Sequence, residues 1–198
     1  LTTQLPRPEP SWTAIVPFKP AHLRKTRLAP VLSSGARIAL TARLFHHVIE
    51  ILHAAPMIAE IAVLGAEPIP GWNGPWIADA GRGLNLELQA ARDSLAGARL
   101  LVIHADLPLV TPADIAQLLQ AAGPAGAIAP DRHRDGTNAL ALHAQRDFSF
   151  AFGPASFQRH LDAMPGAAIV SSAGLALDID TPADLAFADR QGFHFAAE

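Results

Sequence analysis

The chain has 198 residues, half of them hydrophobic and 17% charged, and its 15 Lys and Arg against 18 Asp and Glu leave a formal charge of −3. That balance supports one domain with a sizeable core and argues against general affinity for nucleic acid or an anionic membrane surface. The lack of cysteine excludes disulfides, thiolate zinc sites and cysteine nucleophiles and fits a reducing, cytoplasmic setting, and no apolar run reaches the roughly 18 residues of a membrane span.

Residues 1–11, beginning LTTQLPRPEP, are polar and proline-rich and read as a flexible lead-in, leaving 12–198 as a single domain. WTAIVP (12–17) has the short apolar form of a buried first strand. Ser33 is placed to cap a helix running to about His53, with Ile38, Leu44, Phe45, Val48, Ile49 and Leu52 at helical spacing. EIAVLG (60–65) is a second strand, a loop follows over 67–76, and WIAD forms a short third strand. GLNLELQAARDSL (83–95) is patterned as an amphipathic helix.

RLLVIHAD (99–106) is continuously apolar until its end, as a strand buried on both faces is. Thr111 and Pro112 open the next helix as N-cap and first-turn proline. GAIAP and NALALHA read as two strands, PASFQRHLDAM (154–164) as a helix and LALDID (175–180) as a late strand. TPADLAFADR (181–190) repeats the Thr-Pro helix start. Alternation of strands and helices predicts a three-layer α/β sandwich around a mostly parallel mixed sheet, with ligands beyond the carboxyl ends of the strands.

Asp106, Asp178 and Asp180 fall at predicted strand ends. In an extended LDID segment the side chains at 178 and 180 share a face. Carboxylates gathered there repel one another unless a cation intervenes, and Mg²⁺ is the simplest hard ion for an all-oxygen site. Each Asp is also an ordinary turn residue, and Asp180 stands where a helix cap would.

A basic segment follows the first strand: Lys19, Arg24, Lys25 and Arg27 lie within nine residues. Lys offers a compact charge to phosphate and Arg a bidentate grip, although a solvated loop has the same composition. The Gly-rich fingerprints of P-loop ATPases and of nicotinamide dehydrogenases are missing from it. Gly83 opens a helix whose free N–H groups suit phosphate, and Asn85 suits a base edge, though a glycine turn before a helix is common. Thr137, Gly153 and Ser156 sit in two polar turns whose hydroxyl and backbone donors suit an anion, with turn-former and N-cap as the plainer readings.

The ordered set VPFKP–RKTRLA, GRGLN, ADLP, DGTNAL, FGPASF and LDIDTPADL resembles the 2-phospho-L-lactate guanylyltransferase family, which makes the activated precursor of the deazaflavin coenzyme F-420. The likeness runs from Trp12 to about Phe187. It implies the nucleotide-diphospho-sugar transferase fold and transfer of GMP from GTP to a phosphorylated three-carbon acid. The acceptors known in that family are 2-phospho-L-lactate, phosphoenolpyruvate and 3-phospho-D-glycerate. By resemblance, Asp106, Asp178 and Asp180 match Mg²⁺ ligands, and Thr137, Gly153 and Ser156 match the acceptor site. Lys19, Lys25 and Arg27 match the triphosphate loop, Gly83 and Asn85 fall on the guanine side, and a homodimer is a family-level expectation. Ala155 departs from the glycine more usual in that turn, and Arg132, His133, Arg134 and Asp135 give the neighbouring turn an unusual charge pattern.

Two other readings remain open on the residues: a nucleotidyltransferase of the same fold acting on a molybdopterin, sugar or polyol phosphate, and a non-catalytic module that senses GTP or a phosphorylated metabolite. His46, His47 and His53 read as ordinary helix positions. Trp72 and Trp76 read as cover for an apolar edge before a base platform, and His104 reads as a buried strand residue.

Overall fold

The computed structural model describes residues 11–18, 25–95, 99–143 and 148–196. The lead-in up to residue 10, together with Lys19 and Arg24, lies outside the described residues. Seven strands form one sheet in the order β3-β2-β1-β4-β6-β5-β7. These are β1 (Trp12–Phe18), β2 (Ile58–Gly65), β3 (Trp76–Ala78), β4 (Arg99–Ile103), β5 (Ala127–Pro130), β6 (Thr137–Leu142) and β7 (Ala168–Ile169). Only β6 runs against its neighbours; the other pairings are parallel. The helices are α1 (Ser34–Ala54), α2 (Leu84–Ser94), α3 (Pro112–Ala121), α4 (Ser156–Ala163), α5 (Ala173–Ala176) and α6 (Pro182–Arg190).

Side-chain alternation along β1 divides the core. Trp12, Ala14, Val16 and Phe18 pack on one face with Phe45, Val48 and Leu52 of α1 and Ile115 and Leu118 of α3. Ile15 faces the other side with Leu88 of α2, Phe157 of α4, and Phe148, Phe150 and Phe152. Three layers result. Ser33 caps α1 by accepting from the Ala36 N–H. The Thr-Pro pairs at 111 and 181 each form a capping box with the Asp three residues on. No helix among the described residues is long and apolar enough to cross a membrane.

Two expectations need correction. Ile38 is 49% exposed because the buried stripe of α1 runs through Ala36, Leu40 and Leu44 instead. LALDID is not a strand: its first two residues end α5, and Leu177–Asp180 joins no sheet ladder. Ile179 N–H donates to the Asp106 carbonyl at 3.2 Å, which ties this segment to the end of β4. The two-residue edge strand β7 carries too little pattern to be read from sequence.

A small third core explains the position of that segment. Leu177 and Ile179 bury against Leu28, Leu32 and Leu40, together with Ala188 of α6. Leu28 belongs to a single 3-10 turn, Thr26–Leu28, directly after Lys25. Burying the alternate apolar residues of LDID turns Asp178 and Asp180 together towards the other side.

Candidate active site

The parallel strands β1 and β4 end side by side, delivering Lys25 after one and Asp106 after the other. Lys25 Nζ donates to Asp106 Oδ2 at 2.6 Å and to Asp180 Oδ1 at 3.2 Å. One carboxylate oxygen from each of Asp106, Asp178 and Asp180 falls within a group whose members all lie within 4.8 Å of one another. The basic turn, the residue that follows β4 and the non-strand segment 177–180 thus form one cluster. Asp180 is free for it because Thr181, not Asp180, caps α6, and the Asp180 N–H donates to Asp184 Oδ2 at 3.1 Å.

Electrostatics in the cluster follow from burial and spacing. Burial pulls the Lys25 ammonium towards neutrality, but the fields of Asp106 and Asp180 win, and its pKa is raised. Burial pushes the Asp106 carboxyl up, and Lys25, then His104, outweigh that and hold it below its usual value. Asp178 has no such partner at hydrogen-bond distance among the described residues. Burial first, then Asp106 and Asp180, push it up to about 7. Asp106 Oδ1 is buried and has no hydrogen-bond partner among the described residues. An orphaned carboxylate oxygen beside a carboxyl forced towards its neutral form is what a three-oxygen site for a hard divalent cation looks like without its charge, so these residues fit Mg²⁺.

Arg27 is exposed on the 3-10 turn. Lys25 has left-handed backbone, φ 51°, which orients it into the cluster rather than outward along the loop.

A second group lies beside the first. β6 is antiparallel to β4, so its first residues meet the residues that follow β4; the His104 N–H donates to the Asn138 carbonyl at 3.0 Å. Thr137 therefore starts β6 near Asp106. The Phe157 N–H donates to the Asp135 carbonyl at 3.0 Å, tying the 152–157 turn to the turn before β6. Gly153 adopts φ 119°, and Ser156 opens α4 as a buried residue. Ala155, not Ser156, holds the N-cap position. Thr137, Gly153 and Ser156 are brought together by these contacts.

Gly83 precedes α2 with φ 96° and open space where a Cβ would stand. Asn85 does not present a free amide to a base edge. Its Nδ2 donates to the Phe152 carbonyl at 3.1 Å and its Oδ1 accepts from the Phe152 N–H at 2.7 Å. That side chain fastens α2 to the 152–157 turn.

Three features escaped the sequence reading. His160 is fully buried between Phe148 and Phe152, and Nδ1 lies 2.9 Å from Thr137 Oγ1. Burial, then Arg159 and His104, lower its pKa to about 4. Helical spacing from Ser156 to His160 was the available signal. Arg82 grips the buried carboxylate of Glu87 with Nε and Nη2 at 3.0 and 2.8 Å, fixing the Gly-rich turn. Arg132 pairs with Asp184 at 2.5 Å and lies over the Phe187 ring, so it braces α6. Trp72 packs against Phe45 and His53 and donates to the Pro75 carbonyl.

A lysine and three carboxylates gathered beyond the ends of β1 and β4 suit the transfer of a nucleotidyl group, and the fold is that of the nucleotidyltransferases. A solved Methanothermobacter nucleotidyl transferase has the same fold, with a TM-score of 0.63 at 15% identity over 91% of this chain and 97% of that one. The family model described as "Guanylyl transferase CofC like" matches residues 12–188, and the chain belongs to that family of enzymes. A phosphoenolpyruvate guanylyltransferase of Rubrobacter xylanophilus is 37% identical, covering 90% of this chain and 94% of that protein. Another from Sphaerobacter thermophilus is 36% identical, covering 87% and 89%.

Proposed function

We propose that the protein transfers GMP from GTP to phosphoenolpyruvate and releases pyrophosphate, on the route to coenzyme F-420. The observation that carries this reading is the convergence of Lys25 with Asp106, Asp178 and Asp180 beside the Thr137–Gly153–Ser156 group. The names of the relatives favour phosphoenolpyruvate over 2-phospho-L-lactate and 3-phospho-D-glycerate as acceptor.

A phosphate oxygen of the acceptor attacks the α-phosphorus of GTP. The new P–O bond forms as the bond to the β-phosphate oxygen breaks, and the electron pair leaves with pyrophosphate. The phosphate nucleophile is already ionised near neutral pH, so no side chain has to remove a proton. Asp106, Asp178 and Asp180 would hold Mg²⁺, which when bound would supply positive charge against that developing at the α-phosphate. Lys25, kept protonated by its carboxylate neighbours, supplies positive charge to the triphosphate, and Arg27 and Lys19 add to it from the same basic segment. Thr137, Ser156 and the backbone at Gly153 hold the acceptor. The residues act through positioning and charge neutralisation.

Pyrophosphate release from GTP and Mg²⁺ with each of the three acceptors tests the reading. Release with phosphoenolpyruvate is expected. Release only with a sugar phosphate or molybdopterin would favour a different nucleotidyltransferase, and GTP binding without release would favour a sensor.

A further inference from the structure

His160 makes two hydrogen bonds that together fix its tautomer. Nε2 lies 3.0 Å from the Ala151 N–H, a backbone donor, so Nε2 must accept. A neutral imidazole accepting at Nε2 carries its proton on Nδ1. That proton points at Thr137 Oγ1, 2.9 Å away. Oγ1 then accepts from the ring, and the hydroxyl proton of Thr137 is left to donate elsewhere; it meets no other partner among the described residues.

We propose that His160 is a positioning residue of the acceptor site: it receives the Ala151 N–H, donates to Thr137, and so commits the Thr137 hydroxyl to donate to an anionic oxygen of the acceptor. This rests on the reading of Thr137 as an acceptor-side residue. A phosphate and a carboxylate offer only acceptor atoms, so a hydroxyl locked as a donor suits either group and is wasted on a donor. The same ring also anchors the chain entering the Gly153 turn and stands one helical turn beyond Ser156. One side chain thereby sets three parts of the pocket. No carboxylate among the described residues backs the ring; aromatic faces of Phe148 and Phe152 surround it, which favours the neutral form that the arrangement needs.

Two conservative variants separate the bonds. In His160→Gln the side-chain oxygen can still accept from Ala151, but nothing donates to Thr137. In His160→Asn the amide can still donate to Thr137. The KM for phosphoenolpyruvate should rise about tenfold in His160→Gln and recover to within about threefold of wild type in His160→Asn, with KM for GTP unchanged in both. Inhibition by inorganic phosphate and by pyruvate tells which group receives the bond: the variant weakens only that inhibitor. In a Thr137→Val background, His160→Gln should have no further effect on the acceptor KM. An equal effect in both backgrounds, or a parallel rise in KM for GTP, would overturn the proposal. Nitrogen-15 NMR of the wild-type protein at neutral pH should show the Nδ1–H tautomer, and an Nε2–H tautomer would overturn the proposal alone. A wild-type protein that transfers GMP to no acceptor would overturn the functional reading, and the acceptor role of His160 with it.

Discussion

Lys25 Nζ sits 2.6 Å from Asp106 Oδ2, joining residues 81 positions apart across the ends of two neighbouring parallel strands. The Lys25 side chain is 6% exposed, so this is a buried pairing rather than a surface contact. Its ammonium and a divalent cation bound through Oδ1 would both draw on the charge of one carboxylate. Lysine and cation therefore compete for Asp106.

Replacing the lysine should separate cation binding from turnover. Lys25→Met removes the competing charge, so the nucleotide-free protein should bind Mg²⁺ or Mn²⁺ more tightly, by about tenfold, while guanylyl transfer falls sharply. Loss of one partner of a buried pair also lowers metal-free stability by about 1–3 kcal/mol, discounted because Asp180 is 49% exposed. Added cation should restore that loss. Calorimetric titration with the cation and thermal melts check both; unchanged cation affinity would mean that Lys25 and the ion do not compete.

Stability should depend on pH through one half-buried and one buried group with opposite signs. Between its ordinary 3.8 and about 7, folded Asp178 binds more proton than the unfolded chain, so its contribution is lost as pH rises through that window. Between about 4 and 6.5, His160 stays neutral in the fold and protonates when unfolded, so its contribution is lost as pH falls. Each is worth on the order of 3 kcal/mol across its window. Without divalent cation the two slopes oppose one another from about pH 4 to 6.5. Asp178→Asn should leave the His160 slope exposed, with Tm falling steadily on acidification. His160→Asn should show the reverse slope.

Asn85 holds the turn at Phe152 through both ends of its amide. Asn85→Ala should cost about 1–2 kcal/mol of stability and raise the KM for the acceptor more than the KM for GTP. The preference for GTP over ATP should not change. A collapse of that preference would return Asn85 to the guanine site.

Ala155 adopts left-handed backbone, φ 54°. That conformation costs an alanine about 1–2 kcal/mol, partly offset by the greater freedom glycine gains on unfolding. Ala155→Gly should therefore stabilise the protein by about 0.5–1 kcal/mol, seen as a Tm higher by roughly 2 °C. The glycine that the resemblance leads one to expect here answers to a backbone requirement.

Much of this architecture was written in local patterns. The two Thr-Pro starts became capping boxes because Thr, Pro and the following Asp are all local to one turn. Asp178 and Asp180 share a side because Leu177 and Ile179 bury between them, even though the segment is not the expected strand. Pairings between distant positions were not legible. Nothing near Asn85 announces that Phe152 will dock against it 67 residues later, and nothing near Thr137 announces His160. Lys25 was recognised as a basic loop residue, but its left-handed backbone, which takes it into the carboxylates, has no signature in the sequence.

The most direct measurement uses GTP labelled at the α-phosphate, incubated with phosphoenolpyruvate, Mg²⁺ and the protein. If guanylyl transfer is the reaction, the label moves into a new guanylylated product in equal amount to the pyrophosphate released. Asp106→Asn, still folded by circular dichroism, should slow this at least about 100-fold. Label that remains in GTP with all three acceptors, or transfer at the wild-type rate by Asp106→Asn, would contradict it.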